Sequence, residues 1–230
     1  MSSSGRIQVA RAVLSKDLRI ERRSKVLTSQ IIPFAVVTLV LFAFALDGDA
    51  ILQRTAPGLV WVAMLFSSMI IVQRSFAVET SDGALDALRV AGADMSAVFF
   101  GKWLALVIQL LVLELVLLAG AIVMYGIEFR ASGAVLLVTS SISATCGLSA
   151  VSTIYAGLAS GVRGRESLLP LLVLPVASPV LIGATRAAEA AFGTGGTVVS
   201  EGWPWVGVLS VFAVVFSFGG SLAFGPLIDD

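Results

Sequence analysis

One ionisable residue, Glu114, lies deep in a long apolar run of this chain. A charge at the centre of a membrane-spanning helix costs roughly 3 kcal/mol on insertion scales. The carboxyl is therefore expected to face other helices, protonated or hydrogen-bonded; a functional role is the default reading for such a residue, with a part in substrate passage as one candidate. Gln109 lies outside hydrogen-bonding reach along the same helix, and no intramembrane cation stands out to pair with Glu114. A second group of acids, Glu79, Asp82, Asp86 and Asp94, alternates with Leu85, Leu88 and Val90 between Gln73 and Lys102. That pattern is amphipathic and too polar to span. Ser81 or Asp82 can cap a short helix there, Gly92 with Ala93 can end it, and Asp94 can cap the next.

The chemistry that is missing narrows the function. The chain has no histidine, the side chain most used for general acid/base work, zinc and axial haem ligation. Its single cysteine, Cys146, sits inside an apolar run and reads as a packing residue, so no disulfide framework forms within the chain. No G-x-x-x-x-G-K-[ST] phosphate loop, H-E-x-x-H pair or G-x-S-x-G elbow occurs, nor an Asp pair buried in two spans. A non-catalytic protein with no P-loop ATPase of its own is expected.

The elements that must hold these residues follow from hydropathy. Of the 230 residues, 57% are hydrophobic and 13% charged, about half the roughly 25% charged fraction of a soluble domain. Six apolar runs, at 27–46, 57–73, 99–124, 135–158, 168–184 and 205–224, are long enough to cross a hydrocarbon core of about 30 Å. The predicted fold is a single all-α transmembrane domain of six helices. Residues 1–26 place Ile7, Ala10, Leu14 and Leu18 on one face with basic residues over much of the rest, the pattern of an interfacial elbow helix; a frayed basic tail is the plainer alternative. Seven of the fifteen Lys and Arg residues precede the first span. Both termini are expected in the cytoplasm, which puts twelve Lys and Arg residues inside and only Arg54, Arg130 and Arg186 outside. Pro57 reads as the start of the second span, with Trp61 near its outer end in the aromatic belt.

Two spans have unusual compositions. The fourth carries Ser140, Ser141, Ser143, Thr145, Gly147, Ser149, Ser152 and Thr153, then Gly157 and Gly161. Small residues let backbones approach where lipid supplies no hydrophobic drive, so Gly147, Gly157 and Gly161 are candidate packing positions, within the chain or across a homodimer; a polar translocation lining is the alternative. The fifth holds Pro170, Pro175 and Pro179. Prolines beyond the first turn remove hydrogen bonds and clash with the preceding turn, so this helix is expected to be kinked or broken, whether as a moving bend or a static one.

Several of these segments resemble one family. The run Ala56-Pro-Gly-Leu-Val-Trp-Val-Ala63, continuing through Ser67-Ser68 to Glu79-Thr-Ser-Asp-Gly-Ala-Leu-Asp-Ala-Leu88, is similar to the second span and first cytoplasmic loop of the haem exporter protein B family, CcmB. Leu168-Leu-Pro-Leu-Leu-Val-Leu-Pro175 with Ser178-Pro-Val-Leu-Ile182 resembles that family's double-proline segment. Gln73, where an acid is expected, and the Asp229-Asp230 tail depart from it. The resemblance implies an ABC-2 type permease bundle in the inner membrane. Its expected partners are a cytoplasmic ATPase of the CcmA kind, a haem-handling membrane protein of the CcmC kind and a haem chaperone of the CcmE kind, with two copies of the chain in the complex. ATP and Mg would be bound by the ATPase. Haem would be a handled or transported ligand rather than a tightly held cofactor, since without imidazole only weaker ligands such as Met, Tyr155 or Cys146 are on offer.

An ATPase that closes on ATP must push on something rigid, and a short cytoplasmic helix over 81–91 is the candidate lever. Leu85 and Leu88 would enter an apolar groove on the ATPase, while Glu79, Asp82 and Asp86 would bond its basic rim, with Gly83 in the same helix. An amphipathic helix lying on lipid is the alternative, though acids sit badly on an anionic leaflet. Two other functions compete: an ABC-2 permease for a lipid or drug, and a non-transporting scaffold that passes ATPase motion to a haem handler.

Overall fold

A computed structural model describes residues 3–46, 48–81, 87, 90, 92–159 and 165–229. Seven long helices account for nearly all of them: α1 Ser3–Ser24, α2 Ile32–Ala45, α3 Asp49–Ser81, α4 Met95–Tyr125, α5 Ala134–Ala159, α6 Arg165–Phe192 and α7 Trp203–Asp229. A π-turn at Leu27–Ile31 leads into α2, and short 3-10 turns lie at Ala131–Gly133, Thr194–Gly196 and Val199–Gly202. Among the described residues there is no strand. Of the described residues, six segments are long and apolar enough to cross a membrane: Leu27–Ala45, Asp49–Ala77, Met95–Tyr125, Ala131–Ala159, Leu171–Phe192 and Val199–Pro226. The chain is an all-α integral membrane protein.

α4 is the hub, packing against α1, α2, α3, α5 and α7. Asp94 caps it as its spacing predicts, accepting from the Ser96 amide at 3.0 Å and hydroxyl at 2.6 Å. Gly92, at φ 70°, makes the turn before it. α5 supplies the close approaches. A Cβ on Gly147 would lie 3.0 Å from the Phe212 ring, and one on Gly157 2.8 Å from Phe224, so α7 seats two aromatic rings against the small-residue face of α5. Ser68 of α3 and Ser152 of α5 meet at 3.3 Å. α2 and α7 turn Phe34, Val37, Leu41, Val211, Phe218 and Leu222 outward, as lipid-facing helices do.

The chain turns between α1 and the first span at Lys25, whose φ is 54°. The Glu21 side chain holds this corner by accepting the Leu27 N–H at 2.6 Å, one of the donors a helix start leaves orphaned. α1 packs on the bundle by a face other than its apolar stripe. Ile7 is well exposed, and the buried residues are Val13 and Asp17. The reason is the close fit at Gly101, where a Cβ would lie 2.7 Å from both the Ala10 carbonyl and Val13 Cβ, which rotates α1 about a quarter-turn from its hydrophobic face.

Two expectations change. α3 begins at Asp49, not Pro57, and carries Pro57 within it. Trp61 therefore sits about 18 Å along the helix and is buried in the bundle, not in an interfacial belt. α6 runs continuously through Pro170, Pro175 and Pro179 to Phe192, so it is not broken, and it extends eight residues past the expected end of the span. Pro175 and Pro179 lie on its exposed side.

Candidate functional site

Glu114 faces inward at 3% exposure. Its partner comes from the hydroxyl-rich fourth span: Thr145 Oγ1 donates to Glu114 Oε2 at 2.9 Å. One turn of α5 places Ser141 on the same face as Thr145, the side that meets the carboxyl. Such a bond satisfies a polar group that hydrocarbon would penalise. Among the described residues, the buried hydroxyls of Ser67, Ser149 and Ser217 find no partner.

A second polar cluster joins three elements near the start of α4. Lys102 and Asp17 are 3% and 8% exposed, with Lys102 Nζ 3.5 Å from Asp17 Oδ2. Lys102 Nζ also donates to Ser75 Oγ at 3.1 Å, and Ser75 Oγ to Asp17 Oδ2 at 3.4 Å. Lys16 reaches Asp17 Oδ1 at 3.1 Å, and the Lys102 ammonium stands 4.5 Å over the Phe76 ring. α1, α3 and α4 are thus tied by one buried ionic group, whose cation and anion offset each other's desolvation. Gln109 faces the same pocket, away from Glu114. At the rim, Arg6 Nε lies 2.6 Å from Asp94 Oδ2. The two Ser96 hydrogen bonds, with help from the Arg6 guanidinium, hold the Asp94 carboxyl below its ordinary value near 3.8.

Sequence reasoning missed this cluster. It counted Lys102 as a loop cation although residue 102 falls inside the 99–124 run, and that position was the available signal. Of the lever residues, Glu79 lies in the last turns of α3, while Asp82, Gly83, Leu85, Asp86 and Leu88 lie outside the described residues, as does Gly161. Among the described residues no group of His, Cys, Asp or Glu could hold a metal ion.

This architecture has known relatives. The family model described as CcmB protein matches residues 8–224. A protein named heme exporter protein B from Rhodobacter capsulatus is 37% identical over 174 residues, covering 75% of this chain and 78% of that one. Proteins of the same name from Haemophilus influenzae and Escherichia coli K12 are each 30% identical, covering 78% and 76% of this chain and 80% and 79% of theirs. A family match across nearly the whole of a six-span chain, together with these relatives, places the protein in the CcmB family.

Proposed function

We propose that the chain is the permease subunit of an ATP-driven complex that serves haem export in cytochrome c biogenesis, and that it does no chemistry itself. The family match over 8–224 carries this reading. The termini lie in the cytoplasm, in keeping with the twelve-to-three charge bias. A separate P-loop ATPase binds and hydrolyses ATP, and a membrane haem handler and an outer haem chaperone complete the pathway. Two copies of the chain form the translocation unit.

Force enters through the lever at 81–91, which begins at the last residue of α3. α3 has 33 residues, about 50 Å of rod, longer than the hydrocarbon core it crosses. A push at its cytoplasmic end is carried to the opposite face, and the Ser75 bonds to Asp17 and Lys102 make α1 and α4 move with it. A part for Glu114 in substrate passage belongs to the same reading: Glu114→Gln preserves hydrogen bonding to Thr145 but removes titration, so loss of export from a normally folded variant supports it.

The test is Leu85→Asp combined with Leu88→Asp. We expect membrane insertion to be normal and ATPase association to be abolished on affinity capture. Normal recovery of the complex contradicts the lever assignment.

A further inference from the structure

The end of the bundle remote from α1 holds a cavity of about 640 Å³, within the range that takes a drug-sized or cofactor-sized ligand. It lies between the start of α3, the segment after α4 and the glycine turn after α6. Its apolar lining comes from Ile51, Ile127 and Phe192, and its charge from Arg54, Arg130 and Glu128. Both guanidiniums lie against the glycine turn. A Cβ on Gly193 would collide with the Arg130 guanidinium, and one on Gly195 would lie 3.6 Å from Arg54 Nε. Gly193, Gly195 and Gly196 have φ of 68°, 66° and 81°, so the turn both needs glycine and leaves an open cradle beside two cations.

Of the three arginines at this end, Arg186 is engaged by Glu189 at 3.0 Å. Among the described residues, no ion pair or side-chain hydrogen bond occupies Arg54 or Arg130. The carbonyl ends of α4 and α6 also attract these cations, but at an exposed position that attraction is about 0.3–1 kcal/mol. A bidentate guanidinium–carboxylate contact is stronger.

We propose that this cavity binds an amphipathic ligand with two carboxylates, Arg54 and Arg130 each taking one and Ile51, Ile127 and Phe192 taking the apolar body. Resting on the export reading above, that ligand is haem, gripped by its propionate edge. The lining has no His, Cys or Met, so the iron is left free for a partner's ligand.

The test uses the purified chain in phosphatidylcholine nanodiscs with two fluorescent, metal-free probes: protoporphyrin IX and its dimethyl ester, which lacks the carboxylates. The diacid is expected to bind at least about tenfold tighter than the diester, with each of Arg54→Gln and Arg130→Gln costing the diacid about tenfold and the diester nothing. Ile51→Glu, at an exposed position, adds a carboxylate to the lining and is expected to weaken the diacid more than the diester. Equal binding of the two probes, or an unaltered diacid affinity in the double arginine variant, overturns the proposal. So does loss of diacid binding when phosphatidylglycerol replaces part of the phosphatidylcholine, which would assign the arginines to lipid phosphate. Cytochrome c assembly in a deletion strain separates the two failures. Rescue by both wild type and the double variant removes the site and leaves the export reading standing, whereas normal assembly without the gene removes the export reading whatever the porphyrins do.

Discussion

The two ends of the α3–α4 pair treat charge in opposite ways. At the α1 end, Lys102 and Asp17 are buried and bonded to each other and to Ser75. At the far end, Arg54 and Arg130 lie exposed around a glycine turn. A buried pair that links three helices is suited to holding or transmitting position. Exposed cations beside an open cradle are suited to meeting something from outside. Mutations at the first end are therefore expected to damage folding, and mutations at the second to spare it.

The largest expected effect is Lys102→Met. It leaves the Asp17 carboxylate buried beside Ser75 with only the more exposed Lys16, 3.1 Å from Oδ1, as a cation, and the loss is about 3 kcal/mol in reversible unfolding from mild detergent. Adding Asp17→Asn is expected to recover part of that loss. If the single variant melts like wild type, the ionic tie is not structural and the contrast between the ends fails.

Next comes Gly133→Ala, which probes the far end's framework apart from its charges. A Cβ there would overlap the Ala191 carbonyl, and a loss of about 2 kcal/mol in the same assay is expected from overpacking.

Asp94→Ala removes the N-cap of α4 and is expected to cost about 1 kcal/mol. The sign of its pH dependence follows from the depressed folded-state value. The charged carboxylate stabilises the fold at and above its ordinary value near 3.8, and that contribution is lost only as pH falls below it through the lower folded-state value. Thermal stability traced to Asp94 is thus flat from pH 5 to 8. A drop across that window that disappears in Asp94→Ala would contradict the assigned hydrogen bonds.

The smallest effect is reserved for the arginines. Arg54→Gln and Arg130→Gln are expected to change unfolding free energy by no more than about 0.5 kcal/mol, as exposed substitutions do. A much larger loss would make them structural caps for the ends of α4 and α6.

What could be read from the sequence was whatever depends on neighbours a few residues away. Apolar run length gave the six spans, and the Asp94 cap with Gly92 before it gave the start of α4, because each is a local rule. Trp61 was misplaced because Pro57 reads as a first-turn residue, although Asp49, Gln53 and Arg54 suit the solvated first turns of an earlier start. The buried face of α1 was set by Gly101, ninety-one residues beyond Ala10, and no periodicity in α1 encodes that contact. The position of Lys102 inside an apolar run marked it as needing a partner, but that the partner is Asp17 was illegible for the same reason. Glu114's need for a partner was clear from its type and position, while its partner Thr145 sits on a helix whose composition speaks equally of packing. The arginine cradle requires three loops to converge, and only the fold brings them together.

The central claim is that this chain is moved by a nucleotide-hydrolysing partner and has no nucleotide site of its own. Affinity capture of the tagged protein in mild detergent, followed by identification of the bound proteins and an ATPase assay of the complex and of the chain alone, tests it most directly. A P-loop ATPase recovered with a haem-handling membrane protein, with hydrolysis confined to the assembled complex, is the predicted result; ATP turnover by the isolated chain, or a complex holding no ATPase, would contradict it.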